Sequence, residues 1–137
     1  MSGAASGTAA VPSTFLAFDF GTKRIGVAVG NALTGGAQAL RTVAAEGDAR
    51  FEAIGRLIRE WQPSALVVGV PFHPDGAAHD NTERARRFAR QLHGRFKLAV
   101  HEVDERYTTT EAQASGARDI DAESAAIILE QFLRNFR

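Results

Sequence analysis

The sequence contains no cysteine and no long apolar run. The absence of cysteine excludes disulfide bonds and thiolate metal sites, and it is typical of a cytoplasmic protein. No segment approaches the roughly 18 apolar residues of a membrane-spanning helix. The first ten residues, MSGAASGTAA, lack the basic and apolar regions of a secretory signal. We therefore expect a cytoplasmic protein with no membrane partner.

The sequence also lacks an excess of charge of either sign. Its 16 basic and 16 acidic residues give a formal net charge of zero. A protein that coats nucleic acid normally has a clear basic excess. Any nucleic-acid partner must therefore be bound by a local cationic patch.

The remaining composition is that of a globular domain. The chain has 137 residues, of which 45% are hydrophobic and 23% are charged. This length is sufficient for one hydrophobic core. We expect residues 1–13 to form a flexible tail and residues 14–137 to form a single domain.

The hydrophobic pattern predicts an α/β fold with the element order βββαβαβαα. The strands are expected at about 14–20, 24–30, 39–44, 65–70 and 97–103. The helices are expected after a cap at Asp48, from an Asp80–Glu83 capping box to Gly94, at a Thr108–Glu111 capping box, and after Asp121. Hairpin-prone strands followed by strands that alternate with helices indicate a mixed five-stranded sheet flanked by helices.

Asp19 does not fit the hydrophobic pattern of its predicted strand. It follows the apolar run Phe15–Phe18 and precedes Phe20, so it lies in a strand that should be buried. A buried carboxylate is costly unless a metal, a cation or a hydrogen-bond donor meets it. Gly21 then permits a tight turn. Asp19 is therefore the first candidate for a functional residue.

Other carboxylates are expected near Asp19. Ligands in such sheets bind near the carboxyl ends of the parallel strands. Asp104 and Glu105 end the last predicted strand, and Asp121 begins the last helix. From spacing alone, Asp121 is better explained as the ordinary N-cap of that helix.

Four segments of the chain carry a resemblance to a known family. They are F-D-F-G-T-K-R-I-G-V-A, L-V-V-G-V-P with Gly76 in the following loop, V-D-E-R-Y-T-T-T-E-A, and D-A-E-S-A-A-I-I-L. In this order, over about residues 14–135, they resemble the YqgF family, also called RuvX, which has a ribonuclease H-like, Holliday-junction-resolvase-like fold. The resemblance implies a nuclease that trims the 5′ end of the pre-16S ribosomal RNA precursor.

The resemblance also implies the catalytic carboxylates. They are Asp19, Glu105 and Asp121, which would hold Mg²⁺ or Mn²⁺, with Asp104 as a substitute for Glu105 because neighbouring strand residues face opposite sides. Oxygen ligands of this kind suit these metals. Two carboxylates about 4 Å apart repel by roughly 4 kcal/mol at an effective dielectric constant near 20, so a cation best explains such a cluster.

Two groups of cations are candidates for RNA binding. Lys23, Arg24 and Arg106 lie beside the acidic residues in sequence, although both arginines could instead form structural ion pairs with them. Arg84, Arg87 and Arg90 lie on the polar side of the 80–94 helix. They form either the local patch for the RNA backbone or an ordinary solvated surface.

Three other functions compete with an RNA nuclease. The motif D-F-G-T-K-R-I-G-V resembles the first phosphate motif of actin and the sugar kinases, but those proteins need two such domains. A Holliday-junction resolvase would act on branched DNA as a homodimer, whereas an RNA nuclease could be a monomer. The better-understood resolvases place their second acid on the strand that reads A-L-V-V-G-V here, where no carboxylate exists. The third alternative is a non-catalytic RNA-binding module associated with the ribosome.

Overall fold

The computed structural model describes residues 13–105 and 119–135. The elements in order are β1 (Thr14–Asp19), β2 (Ile25–Asn31), β3 (Ala37–Val43), α1 (Gly47–Trp61), β4 (Ala65–Val70), α2 (Thr82–Phe96), β5 (Ala99–Asp104) and α3 (Ile120–Arg134). The predicted strand count and order are confirmed. The short helix predicted at Thr108–Glu111 lies outside the described residues.

The five strands form one mixed sheet with the spatial order β3-β2-β1-β4-β5. β1 pairs antiparallel with β2, and β2 pairs antiparallel with β3. β1 pairs parallel with β4, and β4 pairs parallel with β5. β1 is therefore the central strand, and its last residue, Asp19, lies where the antiparallel and parallel halves of the sheet meet.

Helices cover both faces of the sheet. Leu16 and Phe18 belong to the core cluster that also contains side chains of α1 and α2. Phe15 and Ala17 pack on the other face, with Ile128 of α3. Because side chains alternate along a strand, Asp19 lies on the α3 face. β4, with the sequence ALVVGV, is buried at every position, as expected for a strand covered on both faces.

The predicted N-caps of the first two helices were wrong. Glu46, not Asp48, precedes α1, and Asp48 lies in its first turn. Asn81 precedes α2 without a side-chain cap hydrogen bond, so the Asp80–Glu83 capping box does not form. Glu83 instead pairs with Arg90, at 2.6 Å. An acidic side chain in the first turn of a helix interacts favourably with the helix dipole even when it does not cap the helix. The local sequence therefore does not show whether such a residue is the N-cap or lies in the first turn.

Some predicted element boundaries were also wrong by two residues or more. β3 begins at Ala37 rather than at position 39. α2 continues past Gly94 to Phe96, and Lys97 closes it in a left-handed conformation with φ 58°. β5 consequently begins at Ala99 rather than at Lys97.

Of the predicted tail, the structure describes only Ser13. Its carbonyl accepts a hydrogen bond of 2.7 Å from the amide of Ala32, which ties it to the end of β2. Within residues 13–105 and 119–135, we find no helix with the length and apolar character needed to cross a bilayer.

Candidate active site

Asp19 lies between two glycines of the neighbouring strands. Its register partners are Gly26 in β2 and Gly69 in β4. Paired residues point to the same face of a sheet, so a side chain at either position would stand next to the Asp19 carboxylate. The two glycines leave this part of the α3 face open for groups from elsewhere in the chain.

Each glycine admits a different part of the site. A Cβ atom on Gly26 would lie 1.8 Å from the backbone oxygen of Asp121, so the first turn of α3 rests directly on β2. A Cβ atom on Gly69 would lie 2.4 Å from Cδ1 of Ile128 and 2.8 Å from Oε2 of Glu105. The absence of a side chain at both positions therefore brings α3 and Glu105 close to Asp19.

Glu105, rather than Asp104, shares the face of Asp19. Gly69 pairs with Val103 in β5, and Glu105 follows Val103 by two residues, so it points the same way. Glu105 is buried, and its amide bonds to the carbonyl of Val70 at 3.2 Å. Asp104 is exposed and points to the opposite face. The structure thus places Glu105, of the two alternatives, beside Asp19.

Asp19 and Glu105 form a hydrogen-bonded carboxyl pair. Burial raises the pKa of Asp19 to about 6, with a smaller contribution from the charge of Asp121, while the hydrogen bond from Glu105 opposes the rise. Burial, the charge of Asp19 and donation to Asp19 together raise the pKa of Glu105 to about 10, with a smaller contribution from the charge of Asp104. Because the pKa of both carboxyl groups is raised, the pair retains a shared proton at a pH at which an isolated Asp and an isolated Glu would both be ionised.

Because of this shared proton, we expect the stability of the protein to depend on pH. The substitution Glu105→Gln should make that dependence weaker. In the unfolded chain Glu105 releases its proton above about pH 4.5, whereas the folded protein keeps that proton. The contribution of Glu105 to the free energy of unfolding therefore falls as pH rises from about 4.5 towards about 10. Gln keeps a donor to Asp19 but does not titrate. Between about pH 5 and about pH 9, with chelator present, thermal melts should show the Tm of wild type falling at least about 3 °C further than that of Glu105→Gln.

Glu102→Gln is the control for that experiment. Glu102 is an exposed residue of β5 that pairs with Arg86 at 3.4 Å. Its removal should change the Tm by a similar small amount at both ends of the pH range. Parallel pH curves for wild type and Glu105→Gln would show that the Glu105 proton does not contribute.

Asp121 is not the N-cap of α3, so this part of the sequence prediction was wrong. Asp119 precedes the helix, and its Oδ1 accepts a hydrogen bond of 3.0 Å from the amide of Ala122. Asp121 lies in the first turn of α3, where its Oδ2 is 3.3 Å from Nε of Arg24. Its side chain is 32% exposed, and its charge reaches Asp19. Asp121 is therefore free of the capping role.

The three acidic residues do not interact equally: two form a hydrogen-bonded pair, and the third lies beside them. Asp19 and Glu105 share a hydrogen bond, whereas Asp121 interacts with Asp19 through its charge and is paired with Arg24. No group of three His, Cys, Asp or Glu side chains in the described part of the chain is arranged to hold a metal ion. The arrangement can hold and exchange a proton, and its oxygen atoms can attract a cation.

The candidate cations near the acidic residues have different environments. Lys23 is exposed on the turn between β1 and β2. Arg24, on the same turn, forms the ion pair with Asp121. Arg106 lies outside the described residues. The turn therefore supplies one exposed ammonium group and one guanidinium group that contacts the acidic site.

The α2 arginines are partly engaged in local contacts. Nη1 of Arg84 is 3.2 Å from Oδ1 of Asn81, and Arg90 pairs with Glu83. Arg87 is exposed and forms no ion pair with any residue that the structure describes. Arg84, whose partner is an uncharged amide, and Arg87 are thus the members of this group that form no ion pair with a described carboxylate.

Arg50 is a structural residue of the site that sequence reasoning missed. It lies in α1 and is only 7% exposed. Its Nε donates to the carbonyl of Ala45 at 2.9 Å, and its Nη2 donates to the carbonyls of Gly21 and Thr22 at 3.1 and 2.9 Å. Arg50 therefore fixes the turn that follows Asp19. Nothing in the local sequence separates a buried arginine from a surface one.

Comparison with known proteins identifies the family. The family model described as RuvX, Holliday junction resolvase, matches residues 13–135. A relative from Albidiferax ferrireducens is 73% identical over 122 residues, which cover 89% of this chain and 78% of the relative. A relative from Polaromonas sp. is 68% identical over 122 residues, covering 89% and 88%. Both are named "Putative pre-16S rRNA nuclease".

A solved structure supports the fold assignment. Thermus thermophilus RuvC, in complex with a Holliday junction substrate, matches with a TM-score of 0.50 and 15% sequence identity. The match covers 88% of this chain and 93% of that chain. At this identity the likeness shows the fold alone, which is the ribonuclease H-like fold expected from the sequence. The chain belongs to the RuvX family.

Proposed function

We propose that this protein is a divalent-metal-dependent nuclease that processes the 5′ end of pre-16S ribosomal RNA in the cytoplasm. The observation that carries the proposal is the pair of the half-buried Asp19 and the buried Glu105 at the carboxyl end of the central strand, with Asp121 beside it. The names of the relatives support the RNA substrate. Family and carboxylate chemistry together favour hydrolysis of a phosphodiester.

The residues of the site fit Mg²⁺ or Mn²⁺. Their donor atoms are carboxylate oxygens, which these metals prefer. Asp19 and Glu105 share a proton when no cation is present, and a divalent cation would permit both carboxyl groups to ionise. Asp19, Glu105 and Asp121 would hold the metal. When bound, it would polarise the phosphodiester and increase the acidity of the attacking water.

The protein's own groups have defined tasks in this mechanism. Glu105 would hold the metal as a carboxylate, so it would then release the proton that it shares with Asp19. Ile128 of α3 packs over Gly69 beside Glu105, and the low exposure of Glu105 strengthens the electrostatic interactions of the pair. Lys23 and Arg24, on the adjacent turn, offset the negative charge of the phosphate.

A direct assay tests this function. The full chain should cleave a precursor RNA that spans the 5′ end of 16S RNA in the presence of Mn²⁺ or Mg²⁺, and chelator should abolish cleavage. Mn²⁺ should also raise the Tm of the protein, because a ligand that binds only the folded state stabilises it. Cleavage that is equally fast with chelator would overturn the metal-dependent mechanism.

The family description and the RuvC-like fold favour one alternative, a resolvase that cuts branched DNA. A four-way DNA junction in the same assay separates the two functions, since faster cleavage of the junction than of the RNA would favour the resolvase. The sequence of β4, ALVVGV, argues against it because it offers no carboxylate. A symmetric junction also requires a homodimer, which sedimentation analysis of the active species would detect.

A further inference from the structure

A cavity of about 580 Å³ opens beside the candidate active site. It lies between the end of β3 and the first turn of α3. Its lining residues are Arg24, Thr42, Ala44, Asp119, Ile120 and Asp121. Asp121 belongs both to this cavity and to the acidic site. A substrate whose phosphodiester lies at the carboxylates would therefore extend into this space.

Two of the polar lining residues are committed to the fold. The hydroxyl group of Thr42 donates to Oδ1 of Asp119 at 2.5 Å. The same oxygen accepts the hydrogen bond from the amide of Ala122 that caps α3. This network fixes the start of α3 against the end of β3. The other polar lining residues are Arg24 and its ion-pair partner Asp121, and Arg24, whose side chain is 66% exposed, is the cation of the cavity that can turn to a ligand.

The cavity also has an apolar wall. Ile120, the first residue of α3, is 42% exposed, and only Leu33 is a more exposed large hydrophobic residue in the described part of the chain. Ala44 lies in the same wall. Small-molecule sites typically combine apolar walls with a few polar groups that fix orientation. Here an apolar surface lies beside a guanidinium group.

We propose that this cavity binds one nucleotide of single-stranded RNA next to the phosphodiester that is cleaved. The base packs against Ile120 and Ala44, and Arg24 contacts the phosphate or stacks on the base, as guanidinium groups do in RNA complexes. The half-exposed ion pair between Arg24 and Asp121 is weak, so exchanging it for a phosphate costs little. This inference rests on the proposed nuclease function.

RNA-binding measurements on matched variants test the subsite. All variants carry Asp19→Asn, so that the RNA is not cleaved, and a fluorescent single-stranded RNA oligomer is titrated in Mg²⁺ by anisotropy. Ile120→Asp should weaken binding at least about fivefold, because it removes the apolar contact and repels phosphate. Asp is favourable at the first position of a helix, so the fold should be retained. Arg24→Gln should weaken binding and lower the slope of log affinity against log salt by about one.

Leu33→Asp provides the control. Leu33 is 84% exposed on the turn between β2 and β3, so the same charge is introduced at a distant surface. Its affinity for RNA should equal that of the parent. Similar affinities for the Ile120 and Leu33 variants would overturn the subsite. If wild type still cleaves the RNA, the proposed function survives that result. Absence of RNA binding by the parent would overturn both.

A crosslink gives the subsite a positive readout. RNA with 4-thiouridine next to the cleaved bond should, on irradiation, crosslink to the segment that contains Ile120 or to the one that contains Ala44. Mass spectrometry of the digested complex locates the site. Crosslinks confined to other segments would overturn the assignment.

Discussion

Replacing Asp19 with Asn is expected to lower the rate of RNA cleavage at least about a hundredfold while the fold is retained. Loss of a residue that only supports a metal ligand costs about 10- to 100-fold, so loss of a ligand should cost at least the upper value. Asn has the size of Asp and can still accept the hydrogen bond from Glu105. Single-turnover cleavage of the precursor RNA with Mn²⁺ measures the effect, and thermal melts check the fold.

Asp104→Asn is the matched control for this experiment. Asp104 directly precedes Glu105 but is exposed on the other face of the sheet. The same change of charge at this position should leave the cleavage rate within about twofold of wild type, because the Asp104 side chain faces away from the site and its charge is the smallest of the effects that raise the pKa of Glu105. Mn²⁺ should raise the Tm of Asp104→Asn but not that of Asp19→Asn. Full activity in Asp19→Asn would contradict the mechanism.

Gly26→Ala is expected to cause the largest loss of stability, about 3 kcal/mol in the free energy of unfolding. The new Cβ would lie 1.8 Å from the backbone oxygen of Asp121 and 2.1 Å from its carbonyl carbon. Backbone atoms cannot rotate away as a flexible side chain can, so α3 must move off β2. Cleavage should also fall, because α3 carries Asp121. Urea denaturation measures the stability.

Gly94→Ala should have the opposite effect. Gly94 lies within α2, and a Cβ atom there would meet no heavy atom within 4 Å. Alanine in a helix is favoured over glycine by about 0.5–1 kcal/mol, so this variant should be slightly more stable than wild type. A Gly26→Ala protein as stable as Gly94→Ala would show that α3 does not need its close approach to the sheet.

The fold could be predicted from sequence because its elements have strong local patterns. The apolar runs of β1 and β4 and the apolar period of α1 identify these elements without tertiary information. Their boundaries were less certain, since β5 begins only where Lys97 ends α2. Asp19 could be predicted as a candidate site residue because a carboxylate stands at the end of an apolar strand.

The details of the site required contacts between distant parts of the chain. The choice between Asp104 and Glu105 depends on the register of β5 with β4, which no local pattern fixes. The role of Gly26 depends on α3, which follows it by more than ninety residues. Likewise, Asp119 could be separated from Asp121 as the N-cap only when its hydrogen bonds were known.

The contacts of Arg50 have a consequence for altering this protein. Its guanidinium group donates to the main-chain oxygens of residues 21, 22 and 45, and it lies 5.8 Å from the centroid of the Phe20 ring at the start of the turn after Asp19. The hydrogen bonds of Arg50 to this turn involve neither the Thr22 nor the Lys23 side chain, and both residues are exposed. The main-chain oxygens of this loop are thus used to hold it in place, whereas the side chains of Thr22 and Lys23 are available to contact substrate. A library randomised at Thr22 and Lys23 could therefore change substrate preference while the loop keeps its shape.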